Sequence, residues 1–223
     1  MGQHKCMKQI ARAYYWLLHK LSKVYWGIIR LIPSLRITYY TRDTQVPITL
    51  RMWFVQKVVG INRSAYWPIH HSSVISGSAK NIYCGIETSP GISNGCYIQA
   101  IGKVYIGDYT QIAPNVGIIS ANHCVFDPRV HLPSEVRIGA YCWIGMNAVI
   151  LPNVILGDFT IVGAGSVVTK SFPNGFCVIA GNPAKLLRLL DPSNCIRYRS
   201  RYEYNGYVPH SEFEEFRHKF LNV

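Results

Sequence analysis

Between Val136 and Lys170 the chain reads VRIGAYCWIGMNAVILPNVILGDFTIVGAGSVVTK, and an aliphatic residue returns at every sixth position. Ile138, Ile144, Ile150, Leu156, Val162 and Val168 share one phase. Four positions after most of them stands a small or β-branched residue: Ala148, Val154, Thr160, Ser166. An amphipathic helix repeats at about 3.6 residues and a half-buried strand at every second one, so neither explains this beat. A sustained six-residue period is that of a parallel β-helix, in which each hexad forms one face of a triangular coil. The aliphatic residue points to the coil axis. The Gly, Asn or Asp positions beside it turn the corners, where positive φ is easiest for such residues.

Upstream the beat is carried by Ile106-Gly107-Asp108, Ile112-Ala113-Pro114 and Ile118, after imperfect first coils at Val74, Ile82, Ile92 and Ile98. It stops after Ile118 and resumes at Ile138 in a different phase. The intervening Ser120 to Glu135 holds Asn122, His123, Asp127, Pro128, Arg129, His131 and Pro133. A polar, proline-containing break in a strict repeat reads as a loop ejected from the coil, and such insertions tend to be functional. Beyond Lys170 the chain leaves through Phe172-Pro173-Asn174-Gly175, and Gly181-Asn182-Pro183-Ala184 predicts entry into a short helix, Lys185 to Leu190. A second helical stretch runs from Ser211, a candidate cap, to Phe220. The chain therefore divides into a helical extension over 1–66, a mainly β coil over 67–184 with an ejected loop at 120–135, and a helical tail over 185–223.

The extension opens with an amphipathic helix from about Cys6 to Ile32. Ile10, Tyr14, Leu17, Leu18, Leu21, Tyr25, Ile28 and Ile32 recur at helical spacing, and Lys8, Arg12, Lys20, Lys23 and Arg30 lie mostly away from them. Pro33 ends it. A basic helix with Trp16, Trp26 and several tyrosines has the composition of an interfacial membrane anchor. The same stripe also suits packing on the rest of the protein or on a second subunit. Pro47 and the run Trp53-Phe54-Val55 predict a second short helix.

Net charge is +12 over 223 residues, and the first sixty residues carry a single acid, Asp43. That basic face suits phospholipid head groups, phosphorylated cofactors or anionic glycans. Nucleic acid is the weakest candidate, because no groove-reading or base-stacking motif accompanies the charge. Seven cysteines without a CxxC pair argue against both a disulfide framework and a structural zinc site. The amino-terminal apolar stretch is broken by His19, Lys20 and Lys23, unlike a signal peptide or a spanning helix. The expected location is cytoplasmic, with peripheral contact at the inner membrane as a further option.

Five segments appear in a familiar order. They are Val104-Tyr-Ile-Gly-Asp-Tyr-Thr-Gln-Ile-Ala-Pro-Asn-Val, Ser120-Ala-Asn-His123, Val136-Arg-Ile-Gly-Ala-Tyr-Cys-Trp143-Ile-Gly, Gly163-Ala-Gly-Ser-Val-Val-Thr-Lys170 and Gly181-Asn-Pro-Ala-Lys185. Over about Val74 to Leu190 the chain resembles the left-handed β-helix (hexapeptide-repeat) acyltransferases. Within them it is similar to the galactoside, maltose and xenobiotic O-acetyltransferases and the bacterial polysaccharide O-acetyltransferases. The resemblance implies a left-handed coil, a homotrimer with active sites between neighbouring prisms, acetyl-CoA as acetyl donor and no metal.

Moving an acetyl group from a thioester to a hydroxyl requires a base for the hydroxyl proton, and a neutral imidazole serves at neutral pH. His123 follows the last hexad before the ejected loop and matches the family's catalytic histidine. The resemblance places Thr169 and Lys170 near the cofactor phosphates, Trp143 and Met146 along the pantetheine wall, and Ala164 where backbone meets the arm. Arg188 is a further phosphate candidate. Lys170 equally suits a solvated corner, Trp143 a packing position and Ala164 an ordinary turn. Asn94 and His131 are candidate acceptor contacts, and His70 and His71 precede the clean coils. The implied reaction is acetyl transfer to a sugar hydroxyl of a bacterial capsule or lipopolysaccharide glycan or its precursor. The alternatives are a xenobiotic or small-sugar acetyltransferase and a non-catalytic trimeric scaffold. A γ-type carbonic anhydrase shares the prism but needs three converging histidines, and no closely spaced pair stands in the coils.

Overall fold

The computed structural model describes Gly2 to Val223, with side chains given for Arg12 and from Tyr14 onward; Ile10 of the predicted stripe and Lys8 of the basic side lie outside the described side chains. Three parallel sheets form the faces of a prism. The first face stacks Val74–Gly77, Tyr97–Ala100, Gly117–Ile119, Val149–Ile150 and Val167–Val168. The second stacks Ile82–Cys84, Lys103–Ile106, Glu135–Ile138 and Ile155–Leu156. The third stacks Gln111–Ile112, Trp143–Ile144, Thr160–Val162 and Cys177–Ala180.

In-register rows explain the beat. Ile98, Ile118, Ile150 and Val168 pair rung on rung, as do Cys84, Ile106, Ile138 and Leu156 on the second face. All are buried, and Ala148, Val154, Thr160 and Ser166 join them inside. At the first coil the register corrects the expected phase: Ile75 pairs with Ile98, so Val74 faces out and is half exposed. Burial also silences the interior thiols, pushing Cys142 up to about 12.

The corners follow the expectation in part. Positive φ falls on Asn115, Asn147 and Asn153, but also on Tyr109, Tyr141, Phe159 and Phe176. The repeated glycines serve another need. A Cβ at Gly139 would stand 2.5 Å from the Asp158 nitrogen, and one at Gly145 would stand 2.6 Å from that of Ala164. Successive coils approach too closely there for a side chain. The four aromatic corners stack as a ladder on the edge between the second and third faces, with ring centroids 5.2, 4.9 and 5.2 Å apart.

The tail binds this ladder. Arg197 lies over Tyr141 and Phe159 and pairs with Asp158 at 3.1 Å. Tyr109 donates its hydroxyl to Glu203. The tail then reaches the first end of the coil, where Phe213 of the final helix is buried against Tyr66 and Tyr83. Two expectations fail here. Lys185–Leu189 is a strand and not a helix, because the last coil offers an open edge and the segment pairs antiparallel with Cys177–Ala180. The final helix spans His210–Phe220 and begins after Pro209, so Ser211 lies inside it and caps nothing.

The amino-terminal helix runs Gly2–Leu31 and is labelled α1; α2 is Arg36–Tyr40 and α3 is Leu50–Phe54. α3 is the expected second short helix, capped by the Thr49 side chain accepting from Met52 N–H. Among the described residues, the end of α1 meets the rest of the chain, through buried Ile29 and through Trp26 beside Tyr39.

Glu87 takes the corner position that the next four coils give to an aromatic ring, with φ +50°. Its Oε1 is buried without a hydrogen-bond partner. Burial, with Glu203 adding to it, raises its pKa. A raised carboxyl pKa means that the fold resists ionisation. The protonated form is stable at acid pH, and that stability is lost as pH rises from the unfolded pKa, about 4.3, through the folded one. Glu87→Gln is therefore expected to raise the thermal midpoint at pH 8 and leave it nearly unchanged at pH 4. A lowered midpoint at pH 8 in scanning calorimetry would contradict this.

Candidate active site

The ejected segment is a hairpin. Ser120 is buried at its root, donating to Gln99 O at 2.6 Å and accepting from Gly102 N–H and Ser134 N–H. Gln99 Oε1 accepts from Ala121 N–H at 2.8 Å. Ala121–His123 then pairs antiparallel with His131–Pro133, and Glu135 already belongs to the next face. The turn is closed by Asp127, which accepts from the Arg129 guanidinium at 2.9 Å through both oxygens. That pairing holds the carboxyl below its usual range. The tip, Val125 and Phe126, is about nine-tenths exposed.

His123 and His131 are register partners, with ring centroids 4.4 Å apart. His123 Nδ1 lies 2.5 Å from Pro128 O. A carbonyl only accepts, so Nδ1 carries the proton of the neutral ring and Nε2 holds the free lone pair. Such a second contact on the far nitrogen fixes tautomer and ring orientation. The imidazole is solvent-exposed and aimed away from the coil core, which suits a base that meets a substrate hydroxyl.

The other sequence-predicted residues fall on two edges of the first face. Thr169 and Lys170 follow Val168 on the edge where the hairpin leaves. The pairing of Ile118 with Ile150 and of Ile150 with Val168 puts Lys170 two rungs from Ser120, roughly 10 Å along the coil at about 4.8 Å per rung. Asn94, Met146 and Ala164 lie on the opposite edge, where Asn94 O accepts from Asn115, Pro114 O from Asn147 and Met146 O from Gly165. Trp143 stands beside them on the third face, half exposed, in one outward row with Gln111, Ile161, Val178 and Arg188. Arg188 is three strands from Trp143, roughly 14 Å. One chain therefore joins His123, His131, Thr169 and Lys170 along one edge, and Asn94, Trp143, Met146 and Ala164 along another. It does not bring the two edges together.

Sequence reasoning missed Pro128, whose contribution is a backbone carbonyl, and Gln99, which reads as an ordinary strand residue. It also missed the aromatic ladder, although Gly107-Asp108-Tyr109, Gly139-Ala140-Tyr141 and Gly157-Asp158-Phe159 repeat the signal. Within one chain no three His, Cys, Asp or Glu side chains converge on a metal-sized space among the described residues.

Residues 135–170 match the model of the bacterial transferase hexapeptide (six repeats). The chain is 37% identical over 110 residues to the Escherichia coli (strain K12) protein WbbJ, whose name is that of a lipopolysaccharide biosynthesis O-acetyl transferase, covering 44% of this chain and 56% of that one. It is 36% identical over 110 residues to the galactoside O-acetyltransferase of the same strain, covering 47% and 53%. The chain thus spans about half the length of the curated relatives it matches. Among solved structures it is similar to a galactoside acetyltransferase in complex with coenzyme A, with a TM-score of 0.51 and 26% identity, covering 77% of this chain and 88% of that one. The chain folds as a left-handed parallel β-helix, carries a hexapeptide-repeat match over residues 135–170, and is similar to O-acetyltransferases built on that coil.

Proposed function

We propose that the protein is an acetyl-CoA-dependent O-acetyltransferase that acetylates a sugar hydroxyl, with His123 as general base in a direct transfer. The observation that carries this reading is the His123 ring, fixed by Pro128 O on a hairpin ejected from a hexapeptide coil. His123 Nε2 takes the hydroxyl proton as the oxygen bonds to the thioester carbonyl carbon. The carbon–sulfur bond breaks, and the proton passes from the imidazolium to the departing sulfur. Coenzyme A leaves as its thiol and the base is restored. Such a base contributes about 10²–10⁴ in rate, and holding the two substrates together contributes about 7–11 kcal/mol of the barrier.

The residues fit the donor. Lys170 and Arg188 are exposed cations for phosphate groups, and Trp143 offers an exposed ring beside the Met146 and Ala164 corners for the pantetheine arm. Because the two sets of residues lie on opposite edges of one face, we infer a homotrimer in which the His123 edge of one protomer faces the Asn94–Ala164 edge of its neighbour. Gel filtration with light scattering tests it: an active monomer would refute it.

Lys170→Ala is expected to raise KM for acetyl-CoA by about tenfold, the loss of one charge-assisted phosphate contact of roughly 1.5 kcal/mol, with kcat nearly unchanged. A fall in kcat at constant KM would remove Lys170 from the phosphate site.

We infer a cytoplasmic enzyme whose acceptor is a capsule or lipopolysaccharide glycan or its precursor, a reading supported by the likeness to WbbJ. The likeness to galactoside O-acetyltransferase favours a small free sugar as the second reading. Acetyl transfer to purified polysaccharide, to a free galactoside and to chloramphenicol separates them. Exclusive use of the antibiotic would overturn both, and failure with every acceptor alongside failure to bind coenzyme A would leave a scaffold.

A further inference from the structure

From Tyr14 onward most of the surface of α1 is bare. Tyr14, Leu17, Leu21, Val24, Ile28 and Leu31 are each at least half exposed. At about 100° per residue these side chains fall within one arc of roughly 100°, while Arg12, Lys23 and Arg30 cluster on the opposite side and Lys20 flanks the stripe. A contiguous apolar surface of this kind marks a site of interaction.

Two features choose the partner. The first is charge: no acidic residue precedes Asp43, so a seam between helices of neighbouring copies would have Lys20 on its flank and none of the opposite charges that flank a coiled-coil seam. The second is composition. Tyr14 and Tyr25 are exposed on and beside the stripe, and the Lys20 ammonium that flanks it lies 5.4 Å from the centre of the exposed Trp16 ring. Exposed leucines bordered by aromatic rings and cations match the boundary between acyl chains and anionic head groups. No helix among the described residues is long and apolar enough to cross a membrane, so α1 would lie along the surface.

We propose that α1 is an interfacial helix that docks the protein on a bilayer containing anionic phospholipid, with the Leu17–Leu21–Ile28 stripe at the acyl boundary. The docking rests on none of the transfer chemistry, so either reading can fail without the other. It would hold the prism beside a membrane-borne acceptor.

The test is co-sedimentation of the full chain with phosphatidylcholine vesicles, with and without phosphatidylglycerol. Binding to the anionic vesicles is expected, at least about tenfold tighter than to the neutral ones, and weakened several-fold in high salt. Leu17→Glu/Leu21→Glu should lower it by about a hundredfold or more while thermal midpoint and molar mass stay unchanged. Lys20→Gln/Lys23→Gln should abolish the preference for anionic lipid without abolishing folding. Failure of the native chain to bind, or equal binding by the Leu17→Glu/Leu21→Glu variant, would overturn the proposal. A lower molar mass for that variant would do the same, by giving the stripe to a second copy of the chain.

Discussion

His123→Ala is expected to lower kcat by about 10²–10⁴-fold while the affinity for coenzyme A stays where it was. The expectation follows from what the side chain does and does not hold in place. Its ring is exposed, so truncation opens no core cavity. The hairpin keeps its own supports: the ladder from Ala121 to His123, the Asp127–Arg129 pair, and the Ser120 root. The Pro128 carbonyl loses a donor, but on an exposed turn water replaces it. What disappears is the Nε2 lone pair. A base acts only as the proton is transferred, so the loss should appear in kcat and kcat/KM equally, with little change in KM. His131→Ala serves as the comparison. Its ring packs on His123 but donates no hydrogen bond comparable to that of His123 Nδ1, so a smaller loss, centred on KM for the acceptor, is expected. Turnover retained by His123→Ala would remove the histidine from the chemistry, and an equal loss in both variants would reassign the pair to hairpin packing.

The coil was legible because its physics is periodic. Every rung buries one aliphatic residue at the same phase, and the sequence repeats accordingly from Ile138 to Val168. The hairpin was legible as a break in that rhythm, and His123 as a histidine carried on it. Apart from the aromatic ladder, what stayed hidden has no periodic signature. Lys185–Leu189 follows a turn and contains three leucines, which suits a helix locally. An unpaired strand edge at the end of the coil overrides that preference. The division of the candidate residues between two edges, implied by the family resemblance, could not be read from the residues themselves, since Ala164 and Lys170 are close in sequence but stand at opposite ends of one strand of the first face. Pro128 could not have been found from residue chemistry, because any residue supplies a carbonyl there. Gly107, Gly139, Gly145 and Gly157, beside the aliphatic positions, answer the closeness of the next coil and not a left-handed φ, whereas Gly165 and the asparagine corners take the positive φ expected of them.

Gln56→Leu is expected to destabilise the protein by about 3–5 kcal/mol, lowering the thermal midpoint by roughly 10 °C. Gln56 is fully buried where the helical extension, the first coil and the tail converge. Its Nε2 donates to Trp67 O at 2.8 Å and shares Ala65 O and Asn62 O at 3.2 Å. Its Oε1 accepts from Ile69 N–H at 3.2 Å and from the Tyr207 hydroxyl at 2.8 Å. Leucine fills nearly the same volume, so the cost is that of unmet polar groups, about 1–3 kcal/mol for each that stays buried. Tyr207→Phe separates this account from a simple loss of packing. In the native background it removes one partner and should cost about 1 kcal/mol. In the Gln56→Leu background the same change removes an orphaned hydroxyl, so it should be neutral or stabilising, and the two substitutions should fall well short of additive. Additive losses in urea titration would mean that Gln56 and Tyr207 act separately. The amide would then not be what ties the tail to the entrance of the coil.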